Sequence, residues 1–352
     1  MGLLLLACPL YAQTELTPFR PGATLEGVNY FLPKTVFEIV LTADKAVTTP
    51  GEFAAYSDRY LRQPNVPKEE STLWILKEVS MYAYGVPDST KAYTINIRSK
   101  SNAPLVSLTD DGLLLGINTQ VAPEALPTLP KGTPAPAIVN GRDFMTHEIL
   151  SAGNTAKMAQ LTAEEIYDLR DSRNALIRGE ADNTPKDGSQ LKLMLDNLSA
   201  QTAALEALFK GQTQTSTEVM SFDYEPNSLV DEEGTREMLC RFSRRLGLVD
   251  PDDLSGEPVW ITIKPLGTLP SATEDEAVAK KKAKMERGVY VNQPQRCRVT
   301  ITMGAQTLLS TEVPVAQIGT TELLSDLLFD KKKTTRVTLH QHTGSVKDIT
   351  EE

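Results

Sequence analysis

Apolar residues along the chain change their spacing twice: alternation or short apolar runs as far as about residue 120, a period of three and four between 161 and 211, then alternation again. In the first stretch, "TVFEIVLTAD" and "YTINIRS" have the β-branched, alternating character of strands. Trp74, Ile75 and Leu76 begin another strand, which Val79, Met81 and Ala83 continue. "LVSLTDDGLLLGIN" places Asp110, Asp111 and Gly112 between two apolar runs and predicts a hairpin. "GEFAAYSDRYL" interrupts the β pattern, with Phe53, Tyr56 and Tyr60 at helical spacing.

Five prolines in "VAPEALPTLPKGTPAPAI" exclude both a helix and a central strand, and predict an extended linker or a strap across the surface. In "LTAEEIYDLRDSRNALIRG", Thr162 and Glu165 have capping-box spacing. Ile166, Leu169 and Leu176 form an apolar stripe there, and Gly179 suits a helix stop. A second stripe, Leu191, Met194, Leu198, Leu205 and Leu208, ends at Gly211. Two antiparallel helices follow, each with so narrow a stripe that the pair must pack on the rest of the chain or on a partner molecule.

From residue 213 the strand candidates are "TSTEVMSFDYEP", "REMLCRFSRRLGLV", "EPVWITIKP", "RCRVTITMGAQTLLSTEVPVAQ" and "TTRVTLHQH". "ATEDEAVAKKKAKMERG" between two of them reads as a solvated loop or short exposed helix. The expected fold is α+β and mostly β: two β-sandwich-like domains with an antiparallel helical hairpin between them. The expected boundaries are a signal peptide over 1–12, an N-terminal β domain over 23–120, a Pro-rich linker over 121–140, the hairpin over 141–211 and a C-terminal β domain over 212–352. "GVNYFLPKTVFEIVLT" and "GVYVNQPQRCRVTITM" echo each other, each running Gly-Val, an aromatic, a Pro and an alternating strand. The echo reflects either two related domains or a chance match of strand-entry chemistry.

The leader changes the picture of where the chain works. Residues 3–12 carry no charge and are rich in leucine, and Ala12 precedes the polar Gln13, Thr14 and Glu15, as in a secretory signal cleaved after Ala12. The run is too short to span a bilayer. No Lys or Arg precedes Arg20, so an initiator upstream of Met1 is expected. The expected location is the periplasm or the outer membrane, with lipid attachment at Cys8 as a competing route.

Composition narrows the partners. A net charge of −10 in 352 residues argues against nucleic acid, whose binding rests on clustered Lys and Arg. In an oxidising compartment Cys240 and Cys297, on alternating runs, would be disulfide partners or else two free buried thiols.

Several stretches carry a likeness beyond pattern: "YFLPKT" at 30–35, "FAAYSDRYL" at 53–61, "LSAGNTAKMAQLTAEEIYDLRDSR" at 150–173, "RFSRRLGLVDPDDLSGEP" at 241–258 and "KKKTTRVTL" at 331–339. Together they resemble a family of uncharacterised secreted proteins of Bacteroidota defined as a domain of unknown function. The resemblance spans the mature chain and implies a cell-envelope location, with no activity or cofactor attached.

Candidate chemistry is sparse. His340 and His342, two apart on a strand, would point both rings to one face, a weak metal motif that lacks a third ligand. "DPDDLSG" gathers three carboxylates, as a capped turn or, less well, a calcium loop. Tyr82 with Tyr84, or Trp74 with Trp260, are either core residues or a sugar-stacking platform. No catalytic signature occurs and no cofactor is expected. The leading expectation is a non-enzymatic envelope protein with a binding or scaffolding role, its partner an envelope protein or a glycan. The alternative is a carbohydrate-binding module or a glycoside hydrolase whose paired carboxylates come together only in space.

Overall fold

A computed structural model describes residues 21–23, 27–96, 105–182, 185–228, 230–268, 288–325 and 335–351. The leader at 1–12 with Cys8, the acidic-basic stretch at 272–287 and the lysines at 331–333 lie outside the described residues.

Among the described residues, thirteen strands form three antiparallel sheets. In the first sheet, β2 (Gly27–Thr49) is flanked along one edge by β3 (Ser71–Asn96), and along the other by the short β1 (Gly22–Ala23) and by β6 (Gln212–Tyr224). The second sheet, in spatial order, is β11 (Gln306–Ser325), β10 (Gly288–Met303), β9 (Glu257–Pro265), β7 (Thr235–Ser243) and β8 (Gly247–Val249). The third is β13 (Val346–Glu351), β12 (Thr335–Leu339), β5 (Leu114–Ile117) and β4 (Val106–Leu108). The chain is thus mostly β with a minor helical part, as its periodicities predict.

Two long ribbons, β2–β3 and β10–β11, organise everything else. The 23 residues of β2 would span about 75 Å at roughly 3.3 Å per residue if straight. Val28, Tyr30 and Leu32 of β2 join Val289 and Val291 of β10 in one core, closed by Leu114, Ile117, Val337 and Leu339 of the third sheet. Further along the same strands, Phe37, Ile39 and Leu41 join Cys297, Val299 and Ile301 in a second core with Val259, Ile261 and Ile263 of β9. Between the two cores each strand meets a proline, Pro33 in β2 and Pro294 in β10, and the pairing register slips there. A residue without an N–H cannot hold a continuous ladder, so the ribbon bends and its apolar side chains are redirected to the second core. The repeated Gly-Val and Pro of the two echoing stretches therefore mark strands with the same role.

This arrangement corrects the expected domain boundaries. β6 follows the hairpin in sequence yet pairs with β2, and β12, near the C-terminus, pairs with β5. Both cores draw on residues from before and after the hairpin, so the spans 23–120 and 212–352 are not separate sandwiches.

A third core seats the helices. α1 (Ser57–Leu61) and α2 (His147–Leu150) are short, whereas α3 (Thr155–Arg178) and α4 (Gly188–Lys210) form the antiparallel hairpin. Phe53, Leu61, Met145 and Ile149 pack there against Ala159, Ala163 and Ile166 of α3 and Leu205, Leu208 and Phe209 of α4. The Phe53 N–H donates to the Leu208 carbonyl at 2.7 Å, and a Cβ on Gly51 or Gly141 would meet the α4 backbone at 2.4 Å. These glycines let the backbone at the helix base approach that closely. α3 starts about two turns before the expected cap: the Asn154 side chain accepts from the Lys157 N–H at 2.9 Å, and Thr162 lies inside the helix, its hydroxyl donating to the Met158 carbonyl. Gly179, at φ 72°, ends α3 as expected.

Residues 121–140 form a strap. Thr133 and Thr217 exchange backbone hydrogen bonds at 2.9 Å, and Gln214 and Gln212 donate to the carbonyls of Pro136 and Val139. The strap covers the open edge of β6, which would otherwise offer unpaired N–H and C=O groups to other strands.

Candidate binding surfaces

The residues singled out in the sequence fall in three places. Cys240 and Cys297 both reach the core shared by the first two sheets and remain free thiols. Cys240 lies opposite Val259 and Cys297 opposite Pro265, at the two ends of β9. Six residues of strand separate those partners, about 20 Å, whereas a disulfide needs Cα atoms within roughly 7 Å. Of the two alternatives, the pair of free buried thiols is the one found. Burial pushes the Cys240 thiol up to about 12 and the Cys297 thiol up to about 11, so neither is a nucleophile at neutral pH.

His340 and His342 lie just past β12 in a tight turn, not on a strand, closed by Gly344 N–H donating to the His340 carbonyl at 2.7 Å. Their rings do meet, edge to face with centroids 5.6 Å apart. Burial holds His342 below the usual imidazole range, an effect His340 reinforces and Glu124 opposes. Among the described residues no group of three or more His, Cys, Asp or Glu could hold a metal ion.

The turn's real engagement is with the junction between the two β cores. Thr35 donates its hydroxyl to the His342 carbonyl at 3.0 Å and accepts from Ala316 N–H at 3.1 Å. The buried Asn292 amide donates to the carbonyls of Pro33 and Thr343, both at 2.9 Å. Gln317 bonds the Thr35 N–H and carbonyl and the Pro226 carbonyl. The register slips at Pro33 and Pro294 free backbone groups, and these side chains satisfy them. Sequence reading missed this cluster because its members come from three strands, a turn and the segment after β6.

"DPDDLSG" is a capped turn, with the Asp253 carboxylate accepting from the Ser255 N–H at 2.9 Å. Trp74 is buried in the core beneath Gly247, while Trp260, on β9, lies under the Arg236 guanidinium at 4.5 Å, so the two indoles form no shared platform.

Two surfaces remain. One is the outer face of the β3–β2–β6 sheet, which carries Tyr82 and Tyr84. The other is the far end of the helical hairpin. Between residues 170 and 200, Leu176 alone among the described residues is buried. A cavity of about 640 Å³ opens there between α3 and α4, floored by Leu176, Met194 and Leu198 and rimmed by Ser172, Asn197 and Gln201. Arg170 and Lys210 both reach Glu206, and close the hairpin below it.

Fold and surfaces together define a β protein of two shared cores bearing a projecting helical hairpin. The chain belongs to the family described as Domain of unknown function (DUF4831), whose profile matches residues 26–347. No curated protein and no solved structure matches it significantly. No helix among the described residues is long and apolar enough to cross a membrane.

Proposed function

We propose that this chain is an exported, non-enzymatic binding protein of the cell envelope, and that its helical hairpin is the arm on which an amphipathic helix of a partner protein docks. The uncharged, leucine-rich leader supports export. The carrying observation is the groove at the end of the hairpin. Two helices bury only one face each, and among the described residues no third layer closes their distal half. Met194 and Leu198, four apart on α4, and Leu176 on α3 line a trough of the shape that receives the ridge of another helix. Beside it, Ile177 next to Leu176 and Leu193 next to Met194 are exposed apolar side chains, at 54% and 62%.

The test is made in the native host. N-terminal sequencing of the envelope fraction should find processing after Ala12, and a photo-crosslinker at position 193 should give a discrete adduct that Leu198→Asp abolishes without loss of helix content. Unprocessed chain in the cytosol, or an adduct indifferent to Leu198→Asp, would refute the reading.

A further inference from the structure

The outer face of the first sheet carries a second, independent site. On β2, Phe37, Ile39 and Leu41 point into the core, so Val36, Glu38 and Val40 point the other way. Tyr84 on β3 is the cross-strand partner of Val36, and Tyr82 is the partner of Glu38. On the far side of β2, Glu38 is paired with Asp223 of β6. Tyr84, Tyr82, Glu38 and Asp223 thus share one face of three adjacent strands. Burial, with the Asp223 and Glu38 carboxylates, pushes the Tyr84 phenol up to about 12.

Burial agrees with this. Val36 is 5% exposed and Val40 0%, although they point away from the core behind the sheet, whereas Tyr82 and Tyr84 are half-buried and Asp223 is exposed. The face thus has an aliphatic floor, two partly exposed phenol rings and carboxylate acceptors beside them. A tyrosine placed to fill a core would bury both faces.

We propose that this face is a binding platform for a neutral glycan chain. The C–H face of a pyranose stacks on Tyr84 and Tyr82, and its hydroxyls donate to Glu38 and Asp223. The chemistry selects that class. Carboxylates repel anionic polymers, and the lysines on this face, Lys34 and Lys77, are already paired with Glu225 at 2.6 Å and Asp44 at 3.4 Å. With the valines covered, the face offers rings and acceptors, which suit a ligand made of apolar C–H faces and hydroxyl donors. An extended cationic peptide would satisfy the carboxylates but leave the ring faces less well used.

Isothermal titration of the full chain with cellohexaose, maltohexaose, mannohexaose and chitohexaose, and with a lysine-rich peptide as control, tests the proposal. At least one hexasaccharide should bind saturably. Tyr82→Ser should weaken it about tenfold, the loss of one stacking contact, with melting temperature unchanged, and Asp223→Asn should weaken it while keeping the fold. Leu198→Asp on the hairpin should leave binding intact, so the two sites fail separately. No saturable binding to any hexasaccharide into the millimolar range, binding indifferent to both face variants, or binding of the cationic peptide alone would overturn it.

Discussion

The hydroxyl of Tyr30 accepts from the Tyr290 N–H at 2.9 Å and donates to the Tyr290 carbonyl at 3.2 Å. One side chain of β2 thereby clasps the backbone of β10, and Tyr93, stacked on Tyr290 with centroids 4.4 Å apart, covers the clasp. Burial pushes the Tyr30 phenol well above its ordinary range. Tyr30→Phe keeps the ring and strands both backbone groups, so a loss of about 1–3 kcal/mol is expected in urea unfolding.

Asn292→Ala removes the donor shared by the Pro33 and Thr343 carbonyls at the junction between the cores. Two buried acceptors lose their partner, and the expected cost is about 2–4 kcal/mol, read as a lower urea midpoint at an unchanged slope.

Gly85→Ala tests how tightly the turn at 340–345 is seated. A Cβ there would come within 2.3 Å of the Gln341 carbonyl oxygen and 3.1 Å of the Pro33 side chain. Backbone cannot swing away as a flexible side chain can, so the turn must lift. A destabilisation of about 1–3 kcal/mol is expected by thermal unfolding.

His342 sets a pH window. Its folded-state pKa lies below the unfolded value of about 6.5, so the unfolded chain takes up the proton first. Its contribution to stability is complete above that pH and falls as the pH drops from about 6.5 towards the folded-state value. Glu52 and Glu206, held low by ion pairs with Arg142 and with Lys210 and Arg170, lose their contributions only at more acid pH, below about 4.5. His342→Gln should flatten the upper limb of a stability–pH profile and leave the lower one in place.

Cys240 and Cys297 should resist alkylation in the folded chain and react fully in denaturant. Mass spectrometry of mature protein should find two free thiols, and a reductant should leave the melting temperature unmoved.

Local structure was legible in the sequence and partner choice was not. Gly179 and Gly211 mark the ends of both helices, whereas the start of α3 lies about two turns ahead of the expected cap at Thr162. Met81 and Tyr93 were read on separate strands because Pro87 interrupts the alternation, yet β3 runs through it, with Pro87 opposite Pro33. The domain boundaries failed because β2 carries apolar residues for two cores, and periodicity records that a face is buried without recording what buries it. Tyr82 and Tyr84 could be seen as a same-face pair, but Glu38 and Asp223 join them only through the pairing of three strands distant in sequence. The free thiols follow similarly: alternation puts each cysteine inside without fixing how far apart they lie along β9.

Because β10, β11 and β12 complete cores that β2 begins, neither sandwich can close until nearly the whole polypeptide is present. Cleaving it beyond Gly211 would not yield two viable fragments, and folding must wait on contacts between its opposite ends, the slow class of assembly. Until its last strands arrive, the chain stays open and leaves the edges of its long ribbons without partners.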